Sequence, residues 1–476
     1  MANWKDRNTP GRFTITKSLS AAQNKDAGGS GLLRTLTLGQ LVLYGIILVQ
    51  PTAPMPLYGV VAQEAKGHVV TTVLVAMVAM LLTAISYGRM AAVYPHAGSA
   101  YAYVGRELHP GLGYLTGWAM VFDYILNPLI CVIWCSKAAM NFLPEIPYPI
   151  WAIFFTVLFT VLNLQGIKSS ARTNAWMAAG LGVVLVLFFA AVARWLWISP
   201  PLASGAWWRP FYDPKTFSLK AVSTGTSIAV LTYIGFDAIS TLSEEAQNPR
   251  RNILLATVLT CLLTGVLAAA EVYAAQLVWP SNSGFHDPDT AFVEVAGRAG
   301  GKVMFVIVNF SLLVASIGSG AGSHLAAGRL LYGMGQDDAI PKRFFAAVSP
   351  KTHIPRNNIL LVGLLVLVGA FLISYELGAE MLNFGAFIGF MGVNMAAFIR
   401  YFVRGERKTL YAFLPLLGFL ICLYMWFSLG KTAKIAGLAW LSTGLAYGAW
   451  RTGGFRKTIA FVAVDEDNEG GPPKAP

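Results

Sequence analysis

The sequence predicts an all-α polytopic membrane protein with twelve transmembrane helices, two of which are broken. The chain is 55% hydrophobic and 12% charged over 476 residues, and its mean hydropathy is +0.57, which excludes an ordinary soluble protein of this length. Its apolar residues fall into blocks of about 20, the length that a helix needs to cross ~30 Å of hydrocarbon. The first and sixth blocks also contain residues that interrupt helices.

Twelve apolar blocks give the predicted spans, with an error of about three residues at each boundary. The spans cover residues 36–62, 69–92, 111–140, 150–166, 175–197, 221–242, 253–279, 303–328, 359–375, 381–403, 410–429 and 433–450. An even number of spans places both termini on the same side of the membrane.

Basic residues indicate which side that is. Of the 35 Lys and Arg, 25 lie in the two tails and the even-numbered loops, and 9 lie in the odd-numbered loops. This bias predicts a multi-pass protein of the bacterial inner membrane with both termini in the cytoplasm. The net charge of +12 fits contact with anionic membrane lipid, so nucleic-acid binding is not needed to explain it.

The spans divide the chain into four regions. Residues 1–33 are polar, lack the apolar core of a signal peptide, and are expected to form a disordered cytoplasmic tail. Residues 34–403 would form a core of ten helices, and residues 404–453 would form helices 11 and 12. Residues 454–476 would form a second cytoplasmic tail.

The sequence contains no readable pattern of catalytic or metal-ligating residues. Cys131 and Cys135 lie one helical turn apart in an apolar block, but no His or further Cys completes a metal site. There is also no HExxH, no phosphate-binding loop and no CxxC pair. We therefore predict that the protein is not an enzyme and uses no cofactor or metal.

The first span must be interrupted, because the run GIILVQPTAPMPLYG (45–59) has three prolines in the middle of its apolar residues. Backbone groups freed at such a break are tolerated in hydrocarbon only beside protein or a water-filled cavity. The break therefore indicates a cavity, and Gln50, Thr52 and Ala53 are candidate substrate-binding residues.

The sixth span has its own interruption at Gly235, within VLTYIGFDAISTLSEE (230–245), and Asp237 follows it. Tyr233 and Phe236 flank the broken turn and could cover a substrate, so Tyr233, Gly235 and Phe236 are candidate substrate-binding residues. Breaks five helices apart are the expected sign of two inverted five-helix repeats with a binding site at their midplane. Free N–H groups there suit a carboxylate, and free carbonyls suit an ammonium group. The alternative is a kinked structural helix and a packing glycine.

Three runs carry a resemblance to a known family. The run YIGFDAISTLSEEAQNPRR (233–251) resembles the sixth-helix signature of the amino acid, polyamine and organocation (APC) permease superfamily. Residues 85–118 resemble its second helix, amphipathic loop and third helix, and residues 322–341 resemble the end of its eighth helix. The resemblance covers most of residues 34–453 and implies the LeuT-like fold of that superfamily.

Within the superfamily the chain is similar to the bacterial putrescine importer branch, in the runs ISYG, AGSAY, GFDA, TLSEE and NFGA. This similarity implies proton-driven import of an amino acid or a small amine such as putrescine. Two departures stand against details of that reading. Pro56 occupies the position of an acid in the putrescine importer, and residues 175–192 lack the lysine that some proton-driven relatives carry.

Ionisable residues inside a span are costly and are therefore functional candidates. Asp123 and Tyr124 in the third span could bind a substrate ammonium group, and the alternative for Asp123 is an ion pair with Lys137. Glu271 in the seventh span and His324 in the eighth could exchange protons or simply form structural hydrogen bonds.

The resemblance adds further candidates. Tyr101 matches a tyrosine near the inner gate of related permeases, Asp237 is expected to act at the same gate, and Asn383 of NFGA is a candidate substrate contact. In sodium-coupled proteins of this fold, hydroxyls of the eighth helix meet carbonyls of the first around a cation. Possible cation-site residues here are Ser316, Ser319 and Ser323, although close helix packing alone explains this small-residue stretch.

We predict a secondary active transporter for a small molecule, with H⁺ as the coupling ion and Na⁺ as a less favoured one. An exchanger and a membrane sensor that uses the same cavity without turnover are the alternatives. A channel is disfavoured, because broken helices around a midplane site suit alternating access. Apart from membrane lipid, no obligatory protein partner is expected.

Overall fold

The computed structural model describes residues 35–94, 99–165, 171–200, 205–243, 245–280, 284–336, 340–349, 354–405 and 409–454. Within these ranges the regular elements are all helices. The predicted tails, residues 1–33 and all but the first residue of 454–476, lie outside the described residues.

Fifteen α-helices follow one another along the described ranges. They are α1 (Leu38–Val49), α2 (Tyr58–Glu64), α3 (Val69–Val93), α4 (Ser99–Glu107), α5 (Pro110–Met140), α6 (Tyr148–Leu164), α7 (Ala171–Ile198), α8 (Leu219–Ala229), α9 (Pro249–Val278), α10 (Ala291–Gln336), α11 (Lys342–Phe345), α12 (Arg356–Leu372), α13 (Tyr375–Phe398), α14 (Thr409–Ser428) and α15 (Lys431–Thr452). Short 3₁₀ segments follow α8 and precede α10, and a π-helical turn, Ile399–Val403, extends α13.

Seven helical segments in the described part of the chain are long and apolar enough to cross a membrane. The helices α14 and α15 pass the same test as a pair bent by 112°, and α1, α6 and α12 are shorter apolar helices. Large apolar side chains such as Trp197 and Leu372 are exposed on the outside of the bundle, as expected where lipid is the solvent.

The predicted boundaries of the eighth and tenth spans differ most from the observed ones. The tenth span was expected to begin at residue 381, but α13 begins at Tyr375, after Ser374 accepts a hydrogen bond from the backbone N–H of Leu377 (3.2 Å). The hydropathy pattern hides this first turn and a half, because Glu376 and Glu380 lie in it. Likewise α10 begins well before residue 303, and the left-handed Gly301 (φ 73°) separates its first turns from the apolar part.

Two indole rings fasten α15 to α5. Trp118 Nε1 donates to the Trp440 carbonyl, and Trp440 Nε1 donates to the Trp118 carbonyl, each at 2.9 Å. The two rings stack with centroids 5.0 Å apart. Both buried indole N–H groups are therefore satisfied across the helix interface, which a buried indole requires. Gly444 makes room for this contact, since a Cβ there would overlap the Trp118 ring.

Candidate functional site

The first break lies between α1 and α2. The first helix starts with a capping box in which Thr37 and Gln40 satisfy each other's backbone N–H groups, and it ends at Val49. Gln50 then takes a positive φ of 68°. Residues 50–57 continue as tight turns, and α2 begins at Tyr58. The interruption occurs where the prolines predict it, because proline cannot donate the hydrogen bonds of a continuous helix.

The second break lies after α8, where a short 3₁₀ segment leads to the extended residue Ile234 (ψ 131°). Gly235 follows with φ 117°, a conformation that residues with a side chain rarely adopt. A second 3₁₀ segment, Phe236–Leu242, completes the crossing. Gly235 is thus the interruption, as the sequence predicts.

The two breaks touch each other. A Cβ placed on Gly235 would lie 3.4 Å from the Leu48 carbonyl oxygen and 3.6 Å from the Val49 nitrogen. The chain also joins the two crossings at one end, where Leu36 N–H donates to the Glu245 carbonyl (3.0 Å) and Gln247 N–H donates to the Leu36 carbonyl (2.9 Å). The breaks in the two interrupted segments therefore lie side by side.

Side chains form hydrogen bonds with part of the backbone at the second break. Asn383 on α13 is fully buried, and its Nδ2 donates to the carbonyls of Ser227 (2.8 Å) and Ile228 (3.2 Å), near the end of α8. On the other side of the break, Asp237 lies two residues after Gly235, and the Ala238 N–H donates to the Gly235 carbonyl at 3.2 Å. Asn383 therefore stabilises one side of the second break, and a backbone hydrogen bond closes the other.

A group of acids and tyrosines lies around the second break. Asp123 on α5 and Asp237 are half-buried and close enough for their charges to interact. Both also interact electrostatically with Tyr87 and Tyr124, and Tyr124 does so with Tyr101. The structure therefore brings together four residues that the sequence predicted separately: Asp123, Tyr124, Tyr101 and Asp237.

Aromatic rings extend this group. Phe236 is fully buried, with its ring centroid 5.6 Å from that of Tyr87 and 5.7 Å from that of Phe390. Tyr103 lies edge-on to Tyr87 at 6.3 Å. Sequence reasoning missed Tyr87 and Tyr103 as site residues. Both lie within residues 85–118, a run that carries the family resemblance, and that position was the available signal.

Lys137 does not pair with Asp123. Its ammonium group lies 3.1 Å from Asp287 and 2.5 Å from Asp289, in the segment that precedes α10. Trp134 Nε1 donates to the Asp289 carbonyl at 2.8 Å and holds the same segment. The alternative of an Asp123–Lys137 ion pair is therefore wrong, because Lys137 forms ion pairs with two acids of the segment that precedes α10.

Tyr233 packs between helices instead of covering the broken turn. Its side chain is fully buried, and its hydroxyl donates to the Val73 carbonyl on α3 at 2.8 Å. On α9 it meets Gly265, whose added Cβ would lie 3.0 Å from the ring. The structure thus assigns a packing contact to a residue predicted to bind substrate.

Two predicted proton-exchange residues lie in apolar surroundings. Glu271 on α9 is fully buried, and neither carboxylate oxygen has a hydrogen-bond partner among the described residues. His324 on α10 is fully buried as well, and its Nε2 donates to the Ile359 carbonyl on α12 at 2.9 Å. His324 therefore has the structural hydrogen bond that was its alternative, whereas Glu271 does not.

The first break also contacts α10. Gln50 Nε2 donates to the Ala315 carbonyl at 3.3 Å, Thr52 is buried, and Ala53 is half-buried. The nearby serines do not share one partner. Ser323 donates to the carbonyl of Ser319 in its own helix (2.7 Å), a bond within one turn of α10. Ser316 is buried on the same helix, and the cation site stays a prediction.

Several known transporters are similar to this chain. The low-affinity putrescine importer PlaP of Escherichia coli is 33% identical over 436 residues, which cover 90% of this chain and 96% of that protein. The branched-chain amino acid permease BcaP of Lactococcus lactis is 25% identical over 452 residues (87% and 93%). The methylthioribose transporter of Bacillus subtilis is 24% identical over 457 residues (89% and 94%).

The amino acid permease family model matches residues 55–463. The match begins within the first break, includes the whole of the second, and extends beyond α15. These similarities extend over most of the chain, and the similar proteins are transporters rather than enzymes. The chain is a helical membrane protein that belongs to the amino acid permease family.

Proposed function

We propose that this protein is a proton-coupled symporter that imports a small amine or an amino acid by alternating access. The observation that carries the proposal is the contact between the two breaks, at Gly235 and Leu48. Half-helices that meet inside a bundle can move relative to the helices around them, while the exposed backbone between them binds the substrate. The substrate would lie beside Asp123 and Tyr124, next to this contact.

In this proposal the chain crosses the membrane twelve times, and its first ten crossings form two inverted repeats. The short helices α1 and α2 together make the first crossing, and α8 with its 3₁₀ segments makes the sixth. The bias of Lys and Arg toward the tails and even-numbered loops supports cytoplasmic termini in a bacterial inner membrane.

The charges around the break favour a substrate with an ammonium group. Asp123 and Asp237 are close enough for their charges to interact, and Lys137, the basic residue of α5, is paired elsewhere. The Ala238 N–H group, which could hold a substrate carboxylate, already donates to the Gly235 carbonyl at 3.2 Å. A small amine therefore fits the inner side of the break better than an anion does.

Two carboxyl groups allow substrate and proton to be carried together. Asp123 would pair with the ammonium group, with the ring of Tyr124 beside it. Asp237, or the unpartnered Glu271 on α9, would carry the proton. Gain and loss of the Asp237 proton would also change the charge directly beside the second break, which couples ion binding to movement of the half-helix.

Uptake into proteoliposomes tests the proposal. Purified protein would be reconstituted and offered a panel of radiolabelled amines and amino acids, with and without an imposed inward proton gradient. We expect accumulation of at least one small amine that depends on the gradient. Uptake only into vesicles preloaded with substrate would instead indicate an exchanger. Binding without any transport would indicate a sensor.

A further inference from the structure

We propose that Glu107, at the end of α4, is a positioning residue that holds the inner gate closed by pairing with the arginines after α13. The proposal rests on the proposed function, because a gate has meaning only in a transporter. In the proposed topology Glu107 lies on the cytoplasmic side of the bundle, apart from the acids beside the breaks. Three observations support it.

The first observation is the enclosure of the Glu107 carboxylate by two hydrogen-bond donors and a second arginine. Its side chain has no exposed surface. Arg404 Nη1 donates to Oε2 at 2.8 Å, and Arg400 Nε lies 3.7 Å from Oε1. The Tyr94 hydroxyl donates to Oε1 at 2.6 Å. These donors come from the end of α3 and from the segment after α13, so one carboxylate joins three elements.

The second observation concerns the tyrosine donor. Burial and the hydrogen bond to Glu107 raise the pKa of Tyr94 to about 12, so its hydroxyl keeps its proton over the physiological range. The Arg106 guanidinium lies 5.1 Å from the centroid of the Tyr94 ring and adds a cation–π contact. The Tyr94 hydroxyl therefore remains a hydrogen-bond donor to Glu107 as long as α4 keeps this position.

The third observation is a continuous set of ring contacts from Glu107 to the second break. Tyr94 stacks on Tyr103 with centroids 6.3 Å apart. Tyr103 lies edge-on to Tyr87 at 6.3 Å, and Tyr87 lies edge-on to Phe236 at 5.6 Å. Movement of α4 away from the bundle must therefore disturb the residues that follow Gly235.

Separating Glu107 from Arg404 should cost more free energy than separating an exposed surface pair. We call the contacts of Glu107 with Tyr94, Arg400 and Arg404 the latch. Arg404 is about half exposed (53%), whereas Glu107 is fully enclosed. If α4 and the end of α13 separate, the arginine regains water easily, but the carboxylate is left without partners until it is hydrated. Opening toward the cytoplasm therefore costs the charged hydrogen bonds of Glu107, and the closed arrangement is favoured while they are intact.

Cysteine accessibility measures this latch without requiring transport. Ser243, on the inner side of the second break, is fully buried. Ser243→Cys would be placed in a chain that lacks the four native cysteines, and a membrane-impermeant maleimide would be applied to inside-out vesicles. In Glu107→Gln we expect labelling to accelerate about tenfold, roughly the factor that one charged hydrogen bond contributes to an equilibrium.

Charge reversal separates a latch from a general loss of folding. The double variant Glu107→Arg/Arg404→Glu should restore slow labelling, whereas each single reversal should label quickly. Glu145→Gln, an exposed acid on another loop, is the matched control and should label like the parent. Unchanged labelling in Glu107→Gln, or a folded double variant that still labels quickly, would overturn the proposal. Failure of uptake with this labelling pattern intact would count against the proposed function alone.

Discussion

Gly235 faces the Leu48 carbonyl so closely that an added Cβ would lie 3.4 Å from its oxygen. The two residues lie nearly 190 positions apart, at the breaks of two different crossings. Their contact places the ends of α1 and α8 in one region, and an added Cβ would be in van der Waals contact with Leu48. The conformation of Gly235 (φ 117°) is what favours a residue without a side chain.

Gly235→Ala should therefore reduce both stability and uptake. The strained φ that alanine would have to adopt at this position should cost about 1 to 3 kcal/mol. Thermal unfolding in detergent and initial uptake rates would measure the two effects. Gly180→Ala on α7 is the matched control, because a Cβ there meets nothing within 4 Å. If Gly235→Ala behaves like this control, the second break does not depend on glycine.

Asn383→Ala should destabilise the second break rather than weaken substrate binding alone. The variant leaves the carbonyls of Ser227 and Ile228 without their donor, at a cost of about 1 to 3 kcal/mol. Unfolding temperature would be compared with that of Asn357→Ala, whose amide bonds the Phe344 carbonyl at an exposed position. A raised KM at unchanged stability would instead support direct contact between Asn383 and substrate.

Lys137 and Asp289 should show strong coupling in a double-mutant cycle. Lys137→Met should cost about 1 to 3 kcal/mol, less than a fully buried pair because Lys137 is partly exposed. Much of that cost should disappear when Asp289→Asn is added. The same cycle with Asp123→Asn should be additive within about 0.5 kcal/mol. Coupling to Asp123 instead of Asp289 would contradict the observed pairing.

Tyr233→Phe and Tyr124→Phe should have different effects. Tyr233→Phe loses a buried hydrogen bond to Val73, so stability should fall by about 1 kcal/mol while KM stays constant. Tyr124→Phe should raise KM severalfold, because its hydroxyl lies among the acids of the proposed site. Unfolding and uptake assays on both variants would decide, and a raised KM in Tyr233→Phe would return that residue to the site.

The sequence predicted the breaks well, because their causes are local. Prolines remove backbone donors wherever they occur, and Gly235 followed by Asp237 in an apolar run needs no distant partner to be noticed. Asp123, Tyr124 and Asp237 were each predicted as candidates, since ionisable residues are conspicuous in a span, but their proximity was not.

Partners of buried groups could not be predicted in this way. Lys137 pairs with two acids from a loop about 150 residues away, and nothing in its own helix indicates them. Tyr233 looked like a site residue because it adjoins the break, but its orientation depends on α3 and α9. Glu107 was overlooked because a charged residue in a loop ordinarily remains in water. Tertiary packing decides each of these contacts.

The most direct measurement is uptake of the best substrate from the panel by Asp123→Asn and Asp237→Asn, across a range of imposed proton gradients. We expect Asp123→Asn to lose most uptake of the amine. In Asp237→Asn, uptake should no longer depend on the proton gradient, while Glu145→Gln should retain both uptake and this dependence. Unaltered uptake and unaltered pH dependence in both aspartate variants would contradict this expectation.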